Sequence, residues 1–497
     1  MNRRSKAYLL VFALALFLAG NAQASGRLQS GQWSNKPGLA QTFPAAYTDV
    51  EGILTFRGGH ERSAPSYGTV SMTKFRPKIA WEKTTKSSSW GGGAGWTGQP
   101  AIVRWSPEVL RTMNVKPKFK SKPGFTEVIY GSLDGHVYFL ELETGEETRG
   151  PIKVGNPIKG SVSIDARGFP LLYVGEGIPE NGTIGFNLYG LIDQKRLLRV
   201  NGKDSYAYRT WGAFDSSALF NRFEDTLIVG GENGLFYHLK LNTKFEPGRR
   251  TLTIDPVIGK YRYKAGGNSY PGIENSIAAY RDLAFFADNG GSVLAMNLRT
   301  HATEWVLPPV DDTDATIVLE TENGVPFLYT GTEVDKQGRK GHSVLRKING
   351  LTGEVVWQSR YESFSVLGAH PINGGLLATP VLGKGRISHL AIFTIARYGS
   401  FSGGVMVALD KKTGKEVWRL PMKNYAWSSP VDVYDESGKP YLIQADSAGT
   451  VTVVDALDGK AKGSLRIGTN IESSPAVFGS YAVVASRGGK IYGIKLE

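Results

Sequence analysis

Cysteine is absent from the 497 residues, so no disulfide holds the chain, and burial and strand pairing must do that work alone. Long apolar runs are as scarce. The one clear example, AYLLVFALALFLA, follows Arg3, Arg4 and Lys6 and precedes Ala22-Gln23-Ala24 and Ser25. It is too short to span a bilayer comfortably and has the layout of an export signal ending at residue 24. With no cysteine at the cleavage point a lipid anchor has no attachment residue, so the expected mature chain is secreted, or periplasmic or cell-envelope associated, with no transmembrane anchor. Catalytic signatures are missing too: there is no Gly-x-Ser-x-Gly elbow, no His-Glu-x-x-His and no phosphate-binding loop. The seven histidines are scattered, with His136 and His238 in strand-like phrases and His301 at a turn, and metal sites need donors that converge. The formal charge is +13. For an exported chain this favours anionic envelope polymers or membranes weakly and gives no nucleic-acid partner.

What the chain has is glycine, 62 residues of it, and 11% aromatics, a composition suited to short strands and tight turns. It also repeats itself. VALDKKTGKEVWRL from Val407 returns as LRKINGLTGEVVWQSR from Leu345 and as VLAMNLRTHATEWVL from Val293, with Thr413, Thr352 and Thr300 equally spaced from Trp418, Trp357 and Trp305. Upstream of such phrases stand turn residues before alternating apolar runs, as in GSLDGHVYFLELETG, GGENGLFYHLKLNT and ADSAGTVTVVDALDG. These are hairpin signals, so each unit is a small antiparallel sheet.

Each unit opens on small residues before an apolar strand, clearest in WSSPVDV and ESSPAVF. Aligning these openings gives eight starts, at Pro100, Val162, Ala218, Ile277, Ile317, Pro380, Pro430 and Pro475. One small sheet cannot bury both faces, so units repeated at this interval stack, most economically as a ring. The eighth unit ends one strand short. PKIAWEKT from Pro77 supplies that strand, with Trp81 in the role of Trp418. The expected fold is therefore all-β: an eight-bladed propeller of four-stranded antiparallel blades spanning residues 77–497, closed by an N-terminal strand that joins the last blade. Residues 25–76 form an N-terminal extension leading into it.

The phrases ALDKKTGKEVW and SSPAV, with the blade pattern from Pro77 to Glu497, resemble the pyrroloquinoline-quinone-like propeller repeats. The resemblance implies eight blades around a channel and a repeat Trp docked between neighbouring blades. Departures occur at Arg149 and Gly463, which stand where Trp is expected, and no Trp can be placed in the units containing Leu188 and Phe236. WD-type repeats do not fit, because their signatures are absent. Members of the family include quinone-dependent alcohol dehydrogenases, an outer-membrane assembly lipoprotein and exported proteins without assigned activity, so the fold does not choose the chemistry. The dehydrogenases stack their quinone on a ring of adjacent cysteines, which this chain cannot form, and bind calcium through acidic and amide ligands.

The residue before each small pair runs Thr97, Lys159, Asp215, Glu274, Asp314, Leu377, Trp427 and Glu472. If the repeat holds, all eight share one height, and Asp215, Glu274, Asp314 and Glu472 are candidate metal ligands at one mouth of the channel, suited to calcium or to a basic or polyhydroxyl ligand; the alternative is four hydrated carboxylates spread across a wide funnel. Trp96, Trp211, Trp427, Tyr425 and Arg209 lie in loops entering the same strands and are candidate ligand-binding residues, since aromatics beside hydrogen-bonding groups suit sugars, peptides and protein interfaces. Blade packing explains any one of them equally well. Two functions follow as expectations. The first is a non-enzymatic exported scaffold that engages a protein or a cell-envelope polysaccharide through its funnel and loops, with no cofactor. The other is a pyrroloquinoline quinone and calcium-dependent oxidoreductase acting on alcohols or sugars.

Overall fold

The computed structural model describes residues 42–95, 98–265, 267–268, 270–368 and 371–497; the export signal expected at 1–24 lies outside them, and none of the described helices is long and apolar enough to cross a membrane. Among the described residues, helix is confined to Pro107–Thr112, Pro117–Lys120 and three short 3-10 turns. Eight antiparallel sheets form the ring. Their inner strands begin at Ala101, Ser163, Leu219, Ala278, Val318, Val381, Val431 and Ala476, each one residue after the start expected from sequence. Blade seven shows the plain unit: Val431–Tyr434, Pro440–Ala445, Thr450–Asp455 and Ala461–Arg466, paired in chain order. Blade eight contributes Ala476–Phe478, Tyr481–Ser486 and Lys490–Lys495 and takes its outer strand from Lys78–Thr84, with Trp81 opposite Gly493 and Glu82 opposite Tyr492. The extension also joins the ring, since Gly52–Ile53 adds to blade one and Ser66–Tyr67 lies parallel to the inner strand of blade eight.

The repeated Thr-Gly and Trp belong together, although they meet across blades. The Trp81 indole donates to the Leu142 carbonyl of blade one at 2.7 Å, Trp305 to Gly350 at 2.9 Å, Trp357 to Lys411 at 2.9 Å and Trp418 to Ala456 at 3.2 Å. Each ring lies flat on the turn glycine of the next blade, so that a Cβ on Gly414 would stand 2.7 Å from Trp357. That glycine also has φ +70°. Gly414→Ala should therefore cost about 2–4 kcal/mol, from a left-handed backbone and an overpacked ring. Gly438 has φ +74° with open space around it, so Gly438→Ala should cost only about 1 kcal/mol. Urea unfolding of the two variants separates the docking contribution, and equal losses would contradict it.

Where Trp is missing, the gap is filled by other means. Arg149 replaces the indole function for function, donating to the Leu191 carbonyl of blade two at 2.9 Å while buried Glu127 neutralises it at 2.5 Å. Gly463 leaves room for the extension, because a side chain there would collide with the Phe75 carbonyl, and Phe75 packs on Tyr441. In blade two Leu198 takes the position, opposite Leu188. Between blades three and four the contact keeps its direction but joins two rings: Tyr261 stacks on His301 with ring centroids 3.7 Å apart. His301 occupies the turn-glycine position at φ +58° and shares a 2.8 Å hydrogen bond with His238.

The small residue that opens each inner strand ties the ring together around the channel. The Gln99 amide donates to the Ser161 hydroxyl, Ser217 to Ser276, Ser276 to Thr316, Thr316 to Thr379, Thr379 to Ser429 and Ser429 to Ser474, at 2.9–3.2 Å, and the Ser474 amide returns to the Gly98 carbonyl. A hydroxyl serves because it can accept from a neighbour's backbone without taking up space at the crowded axis. Inside this ring the innermost carbonyls have no further strand to pair with, and the extension satisfies them. Arg57 donates to the carbonyls of Pro430, Pro380 and Arg62, and Arg62 to those of Ile277, Phe56 and Ser217, at 2.8–3.0 Å. Both arginines are fully buried. They plug the channel with five donors each in a fixed fork, which a lysine does not have.

Candidate functional site

Strand alternation gives the ring two faces. The segments leading into inner strands and the turns between second and third strands lie at one mouth; the Thr-Gly turns and the connections between first and second strands lie at the opposite face, where the extension crosses. The mouth holds a buried arc of carboxylates. Asp215 and Glu274 stand just before the opening hydroxyls of blades three and four, as expected, and Glu232 joins them from the turn Gly231–Gly234. One oxygen from each of the three lies within 4.8 Å of the others. Lys159 of blade two reaches into the group, in contact with Asp215 and 3.4 Å from Glu274. Asp314 continues the arc in blade five, beside Asp312 and Glu333. Below it Phe56 of the plug forms a floor, with Leu377, Thr379 and Ser429 around a water-sized hollow.

The electrostatics follow from this crowding. Burial, opposed by Lys159, raises the Asp215 carboxyl to about 6; burial and then Glu274 raise Asp314 to about 8. Burial, with Glu274 and Asp215, holds Glu232 well above the carboxylate range, and burial, with Asp314 and Asp312, does the same to Glu333. Burial works against the Lys159 ammonium, yet Asp215, Glu274 and Glu232 outweigh it and keep it charged. Glu232 Oε1, Asp314 Oδ1 and Glu333 Oε1 are buried and accept no hydrogen bond among the described residues. The arc is therefore short of positive charge and of donors, a condition a bound cation or retained protons would relieve.

Of the four carboxylates expected to share one level, the structure brings Asp215, Glu274 and Asp314 together. Glu472 is at the same level but apart, 3.8 Å from Arg487 and accepting from Asn470 at 2.8 Å. Glu232, Glu333 and Asp312 were missed. Glu232 sits in GGENG, which reads as turn chemistry, and nothing in its spacing shows that the turn folds over the inner strand. Trp211 and Arg209 do reach the arc: the Trp211 indole donates to Glu232 at 3.0 Å, and Arg209 donates to Asn289 at 3.3 Å, which in turn donates to Glu274 at 3.1 Å. Tyr425 and Trp427 pair with each other at 5.8 Å on the far side of the mouth. Trp96 lies outside the described residues.

Around the arc runs a rim of arginines clasped by aromatics. Arg209 stacks on Tyr270, Arg262 on Tyr206 and Tyr208, and Arg397 on Phe401 and Tyr425, 3.8–4.8 Å from the ring centres. Tyr208, Tyr270, Phe401 and Trp90 are exposed. Exposed aromatics joined to arginine are the composition of protein-binding surfaces.

A calcium ion fits the geometry of Asp215, Glu232 and Glu274, whose oxygen spacing suits bonds of about 2.3–2.6 Å, provided the Lys159 ammonium gives way. Pyrroloquinoline quinone fits poorly. It is a tricarboxylate, and the cations at the mouth are already engaged, Lys159 by two carboxylates, Arg209 by Tyr270 and Asn289, and Arg487 by Glu472.

Residues 340–497 match the family model described as outer membrane protein assembly factor BamB. No curated protein matches the chain. Among solved structures, a quinohemoprotein alcohol dehydrogenase from Pseudomonas putida is similar with a TM-score of 0.58 at 11% identity, over 90% of this chain and 80% of its own. BamB from Moraxella catarrhalis gives 0.49 at 16% identity, over 74% of this chain and 93% of its own. At such identities the likeness is one of fold.

Proposed function

We propose that this chain, which belongs to the pyrroloquinoline-quinone-like β-propeller family, is an exported, non-enzymatic binding propeller whose mouth receives a cationic group of a protein partner. The observation that carries this reading is the arc of buried carboxylates with unpartnered oxygens at the centre of an exposed aromatic and arginine rim. A lysine or arginine side chain entering the funnel would repeat what Lys159 does from within, while the rim supplies flat contact area at low entropic cost. The family match to an outer-membrane assembly factor supports a protein partner in the cell envelope.

The test is titration of the full chain with a short oligolysine peptide and an oligoglutamate control. Binding of the basic peptide alone, weakened about ten-fold by Glu333→Gln or Asp314→Asn, is the expected result. Equal binding of both peptides, or none, contradicts the proposal. Saturable binding of pyrroloquinoline quinone with calcium, with dye reduction in the presence of alcohols or sugars, would replace it by the oxidoreductase reading.

A further inference from the structure

The face opposite the mouth is broken by two insertions in otherwise short connections: 104–126 between the first and second strands of blade one, and 241–256 between the third and fourth strands of blade three. The second carries its own hairpin, Lys244–Glu246 with Thr251–Thr253. The two insertions lean across blade two and touch, with Arg250 donating to the Thr112 carbonyl at 3.1 Å. Between them lies a hollow lined by Val50, Trp105, Val109, Phe169, Phe245 and Pro247, whose volume of about 630 Å³, counted with the solvent above it, holds a large side chain. Its Phe169 and Phe245 rings stand 5.1 Å apart.

Glu108 and Arg167 also line the hollow, Arg167 being paired with Asp165 and Asp225, and a cluster of cations stands beside it on the two insertions. Lys120 donates to the Arg111 carbonyl at 3.3 Å, and its ammonium is pushed down by burial and by the neighbouring Arg250 and Arg149. Lys118, Lys122 and Arg249 on the same insertions have carboxylate partners, whereas Arg111, Lys120 and Arg250 are in no ion pair among the described residues. Three cations outside any ion pair, against the single carboxylate of Glu108 beside an aromatic hollow, call for a ligand that is acidic and has an apolar side chain to bury.

We propose that this second face docks an acidic protein segment, with an apolar or aromatic side chain seated against Phe169 and Phe245 and carboxylates on Arg111, Lys120 and Arg250. The site is independent of the mouth, both in position and in the charge of its ligand.

Fluorescence anisotropy of a labelled Asp/Glu-rich peptide with one central Phe, added to the full chain, tests this. The peptide should bind, and replacing its Phe by Ala should weaken it about ten-fold. Arg250→Glu with Lys120→Glu should weaken it at least as much and flatten its salt dependence, and Phe245→Ser should weaken it without altering that dependence. Asp314→Asn at the mouth should leave it unchanged. Absence of binding, or binding indifferent to Phe245, Lys120 and Arg250, overturns the proposal. So does preferential binding of phosphatidylglycerol vesicles over the peptide, which would make the face a lipid site, or a dimer in sedimentation that the same variants abolish, which would make the occupant a second copy.

Discussion

Arg57→Ala is expected to destabilise the protein by about 3–5 kcal/mol, read as a shift of the urea midpoint at unchanged slope. The variant strips donors from the buried carbonyls of Pro380, Pro430 and Arg62, which come from blades six and seven and from the plug itself. The Arg57 side chain is entirely enclosed, so bulk solvent does not reach these carbonyls in the intact protein. Arg62→Ala should cost a similar amount by freeing Ile277, Phe56 and Ser217. Arg62→Lys should rescue little, since one ammonium does not span three carbonyls held in different directions. A loss under about 1 kcal/mol would mean that the carbonyls find other partners and that the plug fills space only.

The second large effect is in the pH dependence. A carboxyl whose folded value is raised gives its stabilisation below its unfolded value and loses it as the pH rises through the folded one. Asp215 is raised to about 6 and Asp314 to about 8, with Glu232 and Glu333 also raised. Asp215 gives up its share by about pH 6, so without divalent cations the melting temperature should fall by on the order of 5 °C between about pH 6 and 8.5 through Asp314, Glu232 and Glu333. Glu333→Gln should flatten that limb, and calcium should restore it by favouring the ionised arc. The acid limb has another source. Burial depresses His301 to about 4 and His238 as well, so the neutral pair contributes fully above pH 6.5 and is lost as the pH falls toward 4. His301→Gly restores the turn glycine of the other repeats and should flatten the acid limb alone. A melting temperature that rises from pH 6 to 8.5 in the wild type would contradict the account of the arc.

Blade number, strand starts and ring closure were legible in the chain because each repeats a short-range pattern. Ser473-Ser474-Pro475, Thr413-Gly414 and Trp418 recur at spacings set by one strand or one turn, and the same contact returns at each interface. The missing outer strand of blade eight could be found at Trp81 because it carries the same pattern. Other features have no such signature. The role of Arg149 was invisible, since a charged residue at a Trp position becomes intelligible only when Glu127 is seen beside it.

Periodicity fixes height along the channel, and by itself the sequence determined that much: Asp215, Glu274 and Asp314 had to share a level once the blades were in register. It could not fix radius or the folding of turns, and these decided that Glu232 and Glu333 complete the arc while Glu472 turns to Arg487. The tertiary structure alone also laid Arg57 and Arg62 across the axis and brought Arg250 to Thr112. Such contacts join segments that closure of the ring makes neighbours, and no local preference of the chain records which segments those are.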